Sequence, residues 1–449
     1  MSDLTTVSVI GMGYIGLPTC AMFASRGMDV IGIDVNPAVV EKVNRGEIHI
    51  VEPDLDGLIH KVVANGNLRA FTTPQPADAF IIAVPTPFVA NHRPDVSYVM
   101  AAARSIAPVL KRGDVVVLES TSPVGTTRQM TEELARVRPD LTFPLEAGED
   151  ADVMVAYSPE RVLPGKVLSE LINNHRSIGG LSKASSERAV ALYSKIIVGD
   201  LYITTAESAE LVKLTENAFR DVNIAFANEL ATVCQELSLN VWEVIELANK
   251  HPRVNILQPG PGVGGHCIAV DPYFIIDAVP EHTQLMQAAR RINNARPHTV
   301  VDEIVSLLEP GRLNTVACLG LSFKPNIDDV RESPAVDVVK ALADVPNIRL
   351  IAAEPHIDAL PHELEGKGII FTDALSAIDR AEIVVLLVDH RQLGLIDPKA
   401  LEDKKLVDTR GLWTWKKAQK PDARIEGKKA REDRERGHPL RRASDRQAA

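Results

Sequence analysis

The sequence predicts an α/β protein in which two Rossmann-like domains with parallel sheets are joined by a long helical middle segment. Short apolar strands alternate with amphipathic segments at both ends of the chain, a pattern typical of βαβ units. Between these regions, residues 206–250 keep a helical apolar period without Gly or Pro. With 449 residues, the chain has room for about three domains of roughly 150 residues each.

The elements follow from this alternation in chain order. Strands are predicted at residues 7–10, 30–34, 79–84, 115–119 and 152–157, with helices at 15–26 and 37–45. The middle stretch predicts one long helix or two, which a Gly/Pro cluster at 258–265 ends. A further helix is predicted at about 284–308. Strands at 315–320, 348–352, 369–371 and 383–388 restart the alternation. The predicted units are therefore residues 1–204, 205–308 and 309–415, followed by a tail at 416–449.

The tail differs from the rest of the chain in charge. The net charge is −11, yet residues 416–449 carry 12 Lys and Arg against 6 Asp and Glu, with no apolar period. Such a segment cannot bury enough surface to offset its ordering entropy, so it is predicted to be disordered. The acidic remainder makes nucleic acid an unexpected partner, because that binding relies on neutralising phosphates.

The cysteines and the N-terminal residues favour a cytoplasmic location. Four cysteines, at 20, 234, 267 and 318, show no paired spacing, so neither a disulfide framework nor a metal site is expected. The first residues lack the basic region of a signal peptide, and no apolar run approaches 18 residues. We expect a cytoplasmic protein with no membrane segment.

A glycine-rich turn follows the first predicted strand. Gly11, Gly13 and Gly16 form a GxGxxG pattern that opens a helix, and Asp34 ends the next strand. This arrangement predicts a dinucleotide site, with pyrophosphate at the helix N-terminus and the acid on the adenosine ribose. The charge of Asp34 favours NAD over NADP. The alternative is a turn that serves only sheet packing, with Asp34 capping the next helix.

Further polar residues stand at predicted strand ends, where ligands of open α/β sheets bind. Thr86 and Thr121 are candidates there, although each could equally cap a helix or complete a turn. Glu160 and Arg161 also follow a strand. His251 and Arg253, beside Pro252, are candidates for binding an anion.

Cys267 lies in a polar glycine loop, unlike the other cysteines. A thiol at the start of a helical turn after such a loop is expected to have a lowered pKa and to act as a nucleophile. The alternative is a small buried hydrophobe. Lys213, Asn217 and Arg220 share one helix face, which could instead be a solvated stripe.

Long motifs in a fixed order carry a family resemblance. They lie at residues 44–53, 160–165, 214–223, 251–272 and 323–334. On these motifs the chain resembles the UDP-glucose/GDP-mannose dehydrogenase family over residues 1–415. The resemblance implies that the C6 alcohol of a UDP-sugar is oxidised to a carboxylate, with four electrons passing to two NAD⁺.

The resemblance also implies roles for the candidate residues. Cys267 matches the nucleophile that captures the aldehyde as a thiohemiacetal, which a second oxidation turns into a thioester for hydrolysis. Lys213 matches the lysine that stabilises the oxyanion, and Asn217 matches its partner. Asp271 matches the acid beyond the cysteine, and Glu160 the glutamate that orients water.

The remaining assignments concern the two ligands and a second subunit. Arg253 resembles an arginine that reaches the substrate across a homodimer, and Lys324 lies near the substrate in a C-terminal domain that holds UDP. The implied NAD set comprises Gly11, Gly13, Tyr14, Ile15, Gly16, Asp34, Thr86, Thr121, Thr127 and Arg331. The implied substrate set comprises Arg161, Val162, Lys213, Asn217, Arg220, His251, Arg253, Gly264 and Lys324.

The substrate is expected to be an N-acetylated UDP-hexosamine, because Pro164 replaces a second glutamate that UDP-glucose enzymes carry. UDP-N-acetyl-D-mannosamine is the first expectation, with its uronate serving a surface glycan such as enterobacterial common antigen. UDP-N-acetylglucosamine is the alternative. A two-electron 3-hydroxyacid dehydrogenase and a catalytically silent nucleotide-sugar sensor are the other readings.

Overall fold

The computed structural model describes residues 4–50, 52–89, 93–162 and 165–416. The strands are β1 (Thr6–Ile10), β2 (Asp29–Ile33), β3 (Leu68–Phe71), β4 (Ala79–Ile82), β5 (Phe88–Val89), β6 (Arg93–Pro94), β7 (Val115–Leu118), β8 (Met154–Tyr157), β9 (Arg176–Gly180), β10 (Leu201–Thr205), β11 (Asn314–Leu319), β12 (Ile348–Ala353), β13 (Ile370–Phe371), β14 (Ile383–Leu386) and β15 (Lys405–Asp408). The predicted tail lies, apart from Lys416, outside the described residues, as does Pro164.

The helices alternate with these strands at both ends and replace them in the middle. They are α1 (Gly16–Ser25), α2 (Pro37–Asn44), α3 (Leu55–Ala64), α4 (Ser97–Ile106), α5 (Thr126–Val137), α6 (Pro144–Ala147), α7 (Val167–Asn173), α8 (Lys183–Tyr193), α9 (Ala206–Glu236), α10 (Val241–Ala248), α11 (Asp271–Ala278), α12 (Gln284–Ser306), α13 (Pro334–Ala343) and α14 (Ala374–Arg380). The predicted fold class is confirmed.

The N-terminal sheet has, within the described residues, eight strands in the order β3-β2-β1-β4-β7-β8-β9-β10. The first six reproduce the doubly wound order, with a switch point between β1 and β4. The sheet is not wholly parallel as predicted, because β9 runs antiparallel to β8. Apolar side chains on both faces form two clusters under the helices.

The C-terminal sheet is entirely parallel in the described residues, in the order β13-β12-β11-β14-β15. It has its own switch point between β11 and β14. The carboxyl ends of its strands, like those of the first sheet, carry loops that reach the middle segment.

Residues 206–250 of the middle segment form two helices, α9 and α10, where the sequence left one or two open. The first, α9, has 31 residues and is about 46 Å long at 1.5 Å per residue. It ends before Ser238, which has a positive φ of 56°. Asn240 then caps α10 by accepting hydrogen bonds from the backbone N–H groups of Trp242 and Glu243.

One stripe of α9 leaves large apolar side chains exposed. Its members are Leu211, Phe219, Phe226 and Val233, spaced seven or eight residues apart and so on one side of the helix. No helix in the described ranges combines the length and apolarity needed to cross a membrane.

Candidate active site

The turn between β1 and α1 is shaped by glycines that serve different purposes. Gly11 has a φ of +93°, and a Cβ there would lie 2.7 Å from the carbonyl oxygen of Ala83. A Cβ on Gly16 would lie only 1.7 Å from the carbonyl oxygen of Gly11, whereas a Cβ on Gly13 would face open space. The turn therefore packs closely on the sheet and leaves room for a phosphate beside the N-terminus of α1.

Asp34 follows β2 and reaches back to this turn. Its Oδ2 accepts a hydrogen bond from the backbone N–H of Met12 at 3.0 Å, and its Oδ1 accepts from that of Asn36 at 2.9 Å. The next helix, α2, is capped instead by Asn36. The carboxylate of Asp34 therefore lies beside the glycine turn, where a ribose hydroxyl can bind and a phosphate would be repelled.

The other residues of this turn differ in exposure. Tyr14 is 46% exposed, and Ile15 is the residue that precedes α1. Tyr14 interacts electrostatically with Arg331, which lies in the loop before α13. The guanidinium of Arg331 also pairs with Asp329 at 2.7 Å. A residue of the C-terminal domain thus faces the dinucleotide turn, as the assignment of Arg331 to NAD requires.

The predicted threonines lie at the carboxyl ends of adjacent strands. Thr86 donates its hydroxyl to the carbonyl oxygen of Thr121 at 2.6 Å, so the loops after β4 and β7 are joined next to the switch point. Thr127 is different, since it is fully buried and donates both its hydroxyl and its backbone N–H to Glu210. These contacts give Thr127 a structural role at the start of α5.

Cys267 lies in the turn before α11 and is exposed, while Cys20, Cys234 and Cys318 are buried. The expectation of a lowered pKa is wrong. Surrounding protein atoms desolvate the thiol and raise its pKa, and the carboxylate of Asp271 acts in the same direction. The charges of Lys213 and Arg220 oppose this shift without reversing it.

Asp271 and Asn217 join the loop of Cys267 to helix α9. Asn217 donates its side-chain amide to Oδ2 of Asp271 at 2.5 Å, and both residues are buried. Burial raises the pKa of Asp271 to about 6, although the charge of Lys213 and the bond from Asn217 lower it. Asn217 of the predicted face therefore points at the cysteine loop, while Lys213 is half-buried and Arg220 is exposed.

Glu160 completes the cluster from the end of β8. It is 7% exposed, and burial raises its pKa to about 7, although the cations of Lys213 and Arg176 lower it. Its charge also acts on the thiol of Cys267. Two carboxyl groups that titrate near neutral pH thus flank one thiol and one lysine.

Arg161 and Val162 follow Glu160 but use their side chains locally. The guanidinium of Arg161 pairs with Glu216 of α9 at 2.6 Å and donates to the carbonyl oxygen of His175. Val162 packs against the first core cluster. These contacts fix the loop after β8 against the middle segment.

Lys324 approaches the same cluster from the C-terminal domain. Desolvation lowers its pKa, and the charge of Arg220 acts in the same direction, while that of Cys267 opposes it. A Cβ on Gly264 would lie 2.2 Å from the carbonyl oxygen of Glu332, so the cysteine loop and the C-terminal domain are in close contact. All three parts of the chain therefore meet around Cys267.

His251 and Arg253 lie on the exposed segment after α10. The backbone N–H of Arg253 donates to Nδ1 of His251 at 3.3 Å, and their side chains lie 3.5 Å apart. No contact joins either residue to the cluster around Cys267 within the described part of this chain.

Comparison with known proteins agrees with this division into three parts. Domain models of the UDP-glucose/GDP-mannose dehydrogenase family match in order: the NAD binding domain over residues 5–197, the central domain over 207–295 and the UDP binding domain over 317–414. The chain belongs to the UDP-glucose/GDP-mannose dehydrogenase family.

Individual relatives cover nearly the whole chain. An NDP-N-acetyl-D-galactosaminuronic acid dehydrogenase of Ralstonia nicotianae is 55% identical over 92% of this chain and 98% of its own. A UDP-N-acetyl-D-mannosamine dehydrogenase of Yersinia pestis is 54% identical over 91% and 99%. The solved UDP-N-acetyl-mannosamine dehydrogenase of Staphylococcus aureus is 40% identical, covers 91% of this chain and 95% of its own, and has a TM-score of 0.79.

Sequence reasoning missed a buried ionic network behind Glu160 in this family member. Arg176 of β9 pairs with Glu119 at 2.5 Å and lies 4.7 Å from the ring of Tyr193, whose hydroxyl donates to Glu119. The charges of both Arg176 and Glu119 act on Glu160. The sequence did contain a signal for this network: Glu119 directly follows the apolar strand β7, and a buried carboxylate requires a partner.

Proposed function

We propose that the chain oxidises the C6 alcohol of UDP-N-acetyl-D-mannosamine to UDP-N-acetyl-D-mannosaminuronate, with two NAD⁺ per sugar. The observation that carries this proposal is the meeting of Cys267, Lys213, Glu160 and Asp271 in one electrostatic cluster. A thiol beside a lysine is what an enzyme needs to retain an aldehyde between two oxidations. The domains divide the task as residues 1–204 for NAD, 205–308 for chemistry and dimerisation, and 309–415 for UDP.

NAD fits the N-terminal domain because Gly13 is open, α1 presents its N-terminus, and Asp34 lies beside both. When bound, NAD⁺ supplies the hydride acceptor for both oxidations. Thr86 and Thr121 line the switch point next to it. Arg331 closes the same side from the C-terminal domain, which its interaction with Tyr14 supports.

The chain's own residues then handle protons and charge. Lys213 stabilises the oxyanion that forms at C6, an effect worth roughly 10²–10³ in rate for one donor. Cys267 adds to the aldehyde carbon to give a thiohemiacetal, and oxidation of that adduct gives a thioester. Asn217 keeps Asp271 in place behind this centre.

The raised pKa of the thiol requires a base when it attacks. Glu160 and Asp271, with pKa values of about 7 and about 6, have proton affinities suited to that task at neutral pH. Glu160 subsequently orients the water that hydrolyses the thioester. Its burial behind the thiol supports both roles.

The UDP-sugar carries two phosphate charges, which local cations must hold because the body of the protein is acidic. Lys324 and Arg220 lie together near Cys267 and supply positive charge at that point. Gly264 allows the close approach of the two domains around the sugar. The proposed substrate site also includes Arg161, Val162, His251 and Arg253. Arg253 is proposed to act on the substrate of a partner subunit.

Three hexosamine configurations are candidates for the substrate. The mannosamine enzyme of Yersinia pestis supports the first choice, and the galactosaminuronic acid enzyme of Ralstonia nicotianae supports a UDP-N-acetyl-D-galactosamine substrate as a second. UDP-N-acetylglucosamine is the remaining epimer. All three share the acetamido group and C6 alcohol and differ only in stereocentres of the ring.

A panel of these UDP-sugars and UDP-glucose, assayed for NADH per sugar consumed, tests the proposal. We expect two NADH per UDP-N-acetyl-D-mannosamine and uronate as product. The Cys267→Ala variant should make no uronate, while binding NAD as the parent does. One NADH per sugar, or full uronate formation by Cys267→Ala, would overturn the proposed chemistry.

We also propose a homodimer that works in the cytoplasm. The exposed apolar stripe of α9, together with Leu285 (68% exposed) beside it, would be covered by the same surface of a second copy. Such a pairing is isologous, and a helix of about 46 Å supplies its length. The four free cysteines suit a reducing compartment.

A further inference from the structure

A buried Glu–His pair lies beneath the loop that carries Lys324. Glu354 directly follows β12 and His390 lies in the loop after β14, so both stand at carboxyl ends of strands beside the second switch point. They are 5% and 0% exposed, and Oε2 of Glu354 lies 2.9 Å from Nε2 of His390. No role in the proposed chemistry accounts for this pair.

The pair holds the loop after β11 at both ends. Oε2 of Glu354 accepts from the backbone N–H groups of Leu321 and Ser322 at 2.7 and 3.1 Å. Nδ1 of His390 accepts from the backbone N–H of Asn326 at 3.0 Å. Lys324 lies between these two anchor points.

Contacts within the loop transmit this hold to Lys324. The hydroxyl of Ser322 donates to the carbonyl oxygen of Lys324 at 2.8 Å. The side chain of Asn326, which has a φ of +63°, accepts from the backbone N–H of Arg391 at 2.8 Å. The backbone on both sides of Lys324 is therefore fixed by hydrogen bonds to groups beneath it.

A metal ion is an alternative reason for such a pair, because ligand atoms of Glu354, His356 and His390 lie within 4.8 Å of one another. The hydrogen bonds argue against it. Since Nδ1 of His390 accepts a backbone N–H, the proton of the neutral ring is on Nε2 and points at the carboxylate. Metal-binding histidines instead donate from their other ring nitrogen.

The same topological position carries an acid in both sheets. Asp34 follows the second strand of the first sheet and accepts one hydrogen bond from the turn after β1. Glu354 follows the equivalent strand of the second sheet but accepts two from the turn after β11. The acid of the first domain is placed to bind a ribose, whereas the acid of the second domain binds its own protein backbone.

We propose that Glu354 and His390 are positioning residues that preset the 321–326 loop, and thereby Lys324, for the nucleotide-sugar. Neither residue touches the reacting atoms. The inference rests on the proposed function, because it takes the ligand of this loop to be a UDP-sugar. It adds that the hydrogen bonds of Glu354 and His390 to the backbone of this loop set the affinity for that ligand.

The test compares His390→Phe, which removes both ring nitrogens, with His390→Gln, whose amide retains one acceptor and one donor. His390→Phe should raise the KM for the UDP-sugar and the Kd for UDP about tenfold, the effect of one lost charge-assisted hydrogen bond. The KM for NAD and kcat at saturation should change less than about twofold. His390→Gln should recover most of the loss, which a merely space-filling role would not explain.

His356→Gln is the matched control. This histidine lies against His390, with ring centroids 4.9 Å apart, and contributes only its backbone N–H to Glu354, a bond that the substitution keeps. It should behave as the parent. Hydrogen exchange supplies a readout free of substrate, since the amides of Leu321, Ser322 and Asn326 should exchange faster in His390→Phe alone.

The outcomes separate the two proposals. A parent chain that neither oxidises nor binds any UDP-sugar defeats the proposed function. If the parent binds UDP and His390→Phe retains parental KM, Kd and amide exchange, the positioning role is wrong. Should His390→Phe fail to fold, Ser322→Ala decides instead, because it removes only the hydroxyl bonded to Lys324 and should still weaken UDP binding severalfold; unchanged binding would overturn the role.

Discussion

Replacing Glu160 with Gln should stabilise the folded chain above neutral pH and have little effect near pH 5. The carboxyl is 7% exposed, and burial raises its pKa to about 7 from an ordinary value of 4.5. Between these values the unfolded chain releases the proton while the folded chain keeps it. The stability of the parent therefore falls as the pH rises through this window, and above it both states are ionised.

The gap between 4.5 and about 7 sets the size of the effect. At 1.36 kcal/mol per pKa unit it corresponds to about 3 kcal/mol of opening free energy. Glutamine has the same shape and no charge to desolvate, so the variant escapes this loss. Its advantage over the parent should grow from a small value at pH 5 to about 3 kcal/mol at pH 8.

Native-state hydrogen exchange of the β8 amides measures this opening free energy without requiring the whole chain to unfold as one unit. Asp271→Asn is the matched control, because that carboxyl is also buried but has a pKa of about 6 from an ordinary 3.8. Its advantage should be complete by about pH 7. A difference between Glu160→Gln and the parent that stays constant from pH 5 to 8 would refute the reasoning.

Three other perturbations address the turn, the stripe and the tail. Gly16→Ala should lower the midpoint of thermal unfolding and abolish NAD binding, because its Cβ would lie 1.7 Å from a carbonyl oxygen. Gly13→Ala should keep the midpoint and weaken NAD binding. Equal midpoints in the two variants would contradict the different purposes assigned to the two glycines. Phe226→Glu should convert the proposed dimer to monomers in light scattering, while Leu395→Glu, at an exposed site of the C-terminal domain, should not. A Phe226→Glu variant that remains dimeric would exclude the stripe as the interface. Truncation after Lys417 should leave kcat unchanged in the NADH assay, and a large loss would assign the tail a part in assembly or catalysis.

Most of the fold could be predicted from short-range patterns in the sequence. The alternation of strands and helices, the Gly11–Gly16 turn and Asp34 depend on neighbours within about 30 residues, and the structure has them as expected. No strand was predicted at β3, β5, β6, β9, β10 or β15. In β9, Arg176 and Ser177 at its start break the apolar pattern. Arg176 is tolerated there because Glu119, 57 residues away, neutralises it.

The sequence anticipated that Glu160, Lys213, Asn217 and Asp271 act together with Cys267, and it did not anticipate the electrostatics of that cluster. Residue type and loop context identified Cys267, but the sign of its pKa shift depends on desolvation by surrounding protein atoms and on Asp271, which local sequence does not reveal. Likewise Glu354 and His390 are 36 residues apart, and only the parallel order of the second sheet brings them together. Such long-range juxtapositions require the fold itself.

The raised pKa of Cys267 has a consequence for the durability of the resting protein. Oxidants and alkylating agents attack the thiolate, so a cysteine that remains a thiol at neutral pH reacts slowly with peroxide. Cys267 is exposed, and an ordinary activated cysteine in that position would accumulate sulfenic and sulfinic acids. In the proposed mechanism the thiol loses its proton only at the moment of attack, so the resting protein would resist oxidation between turnovers.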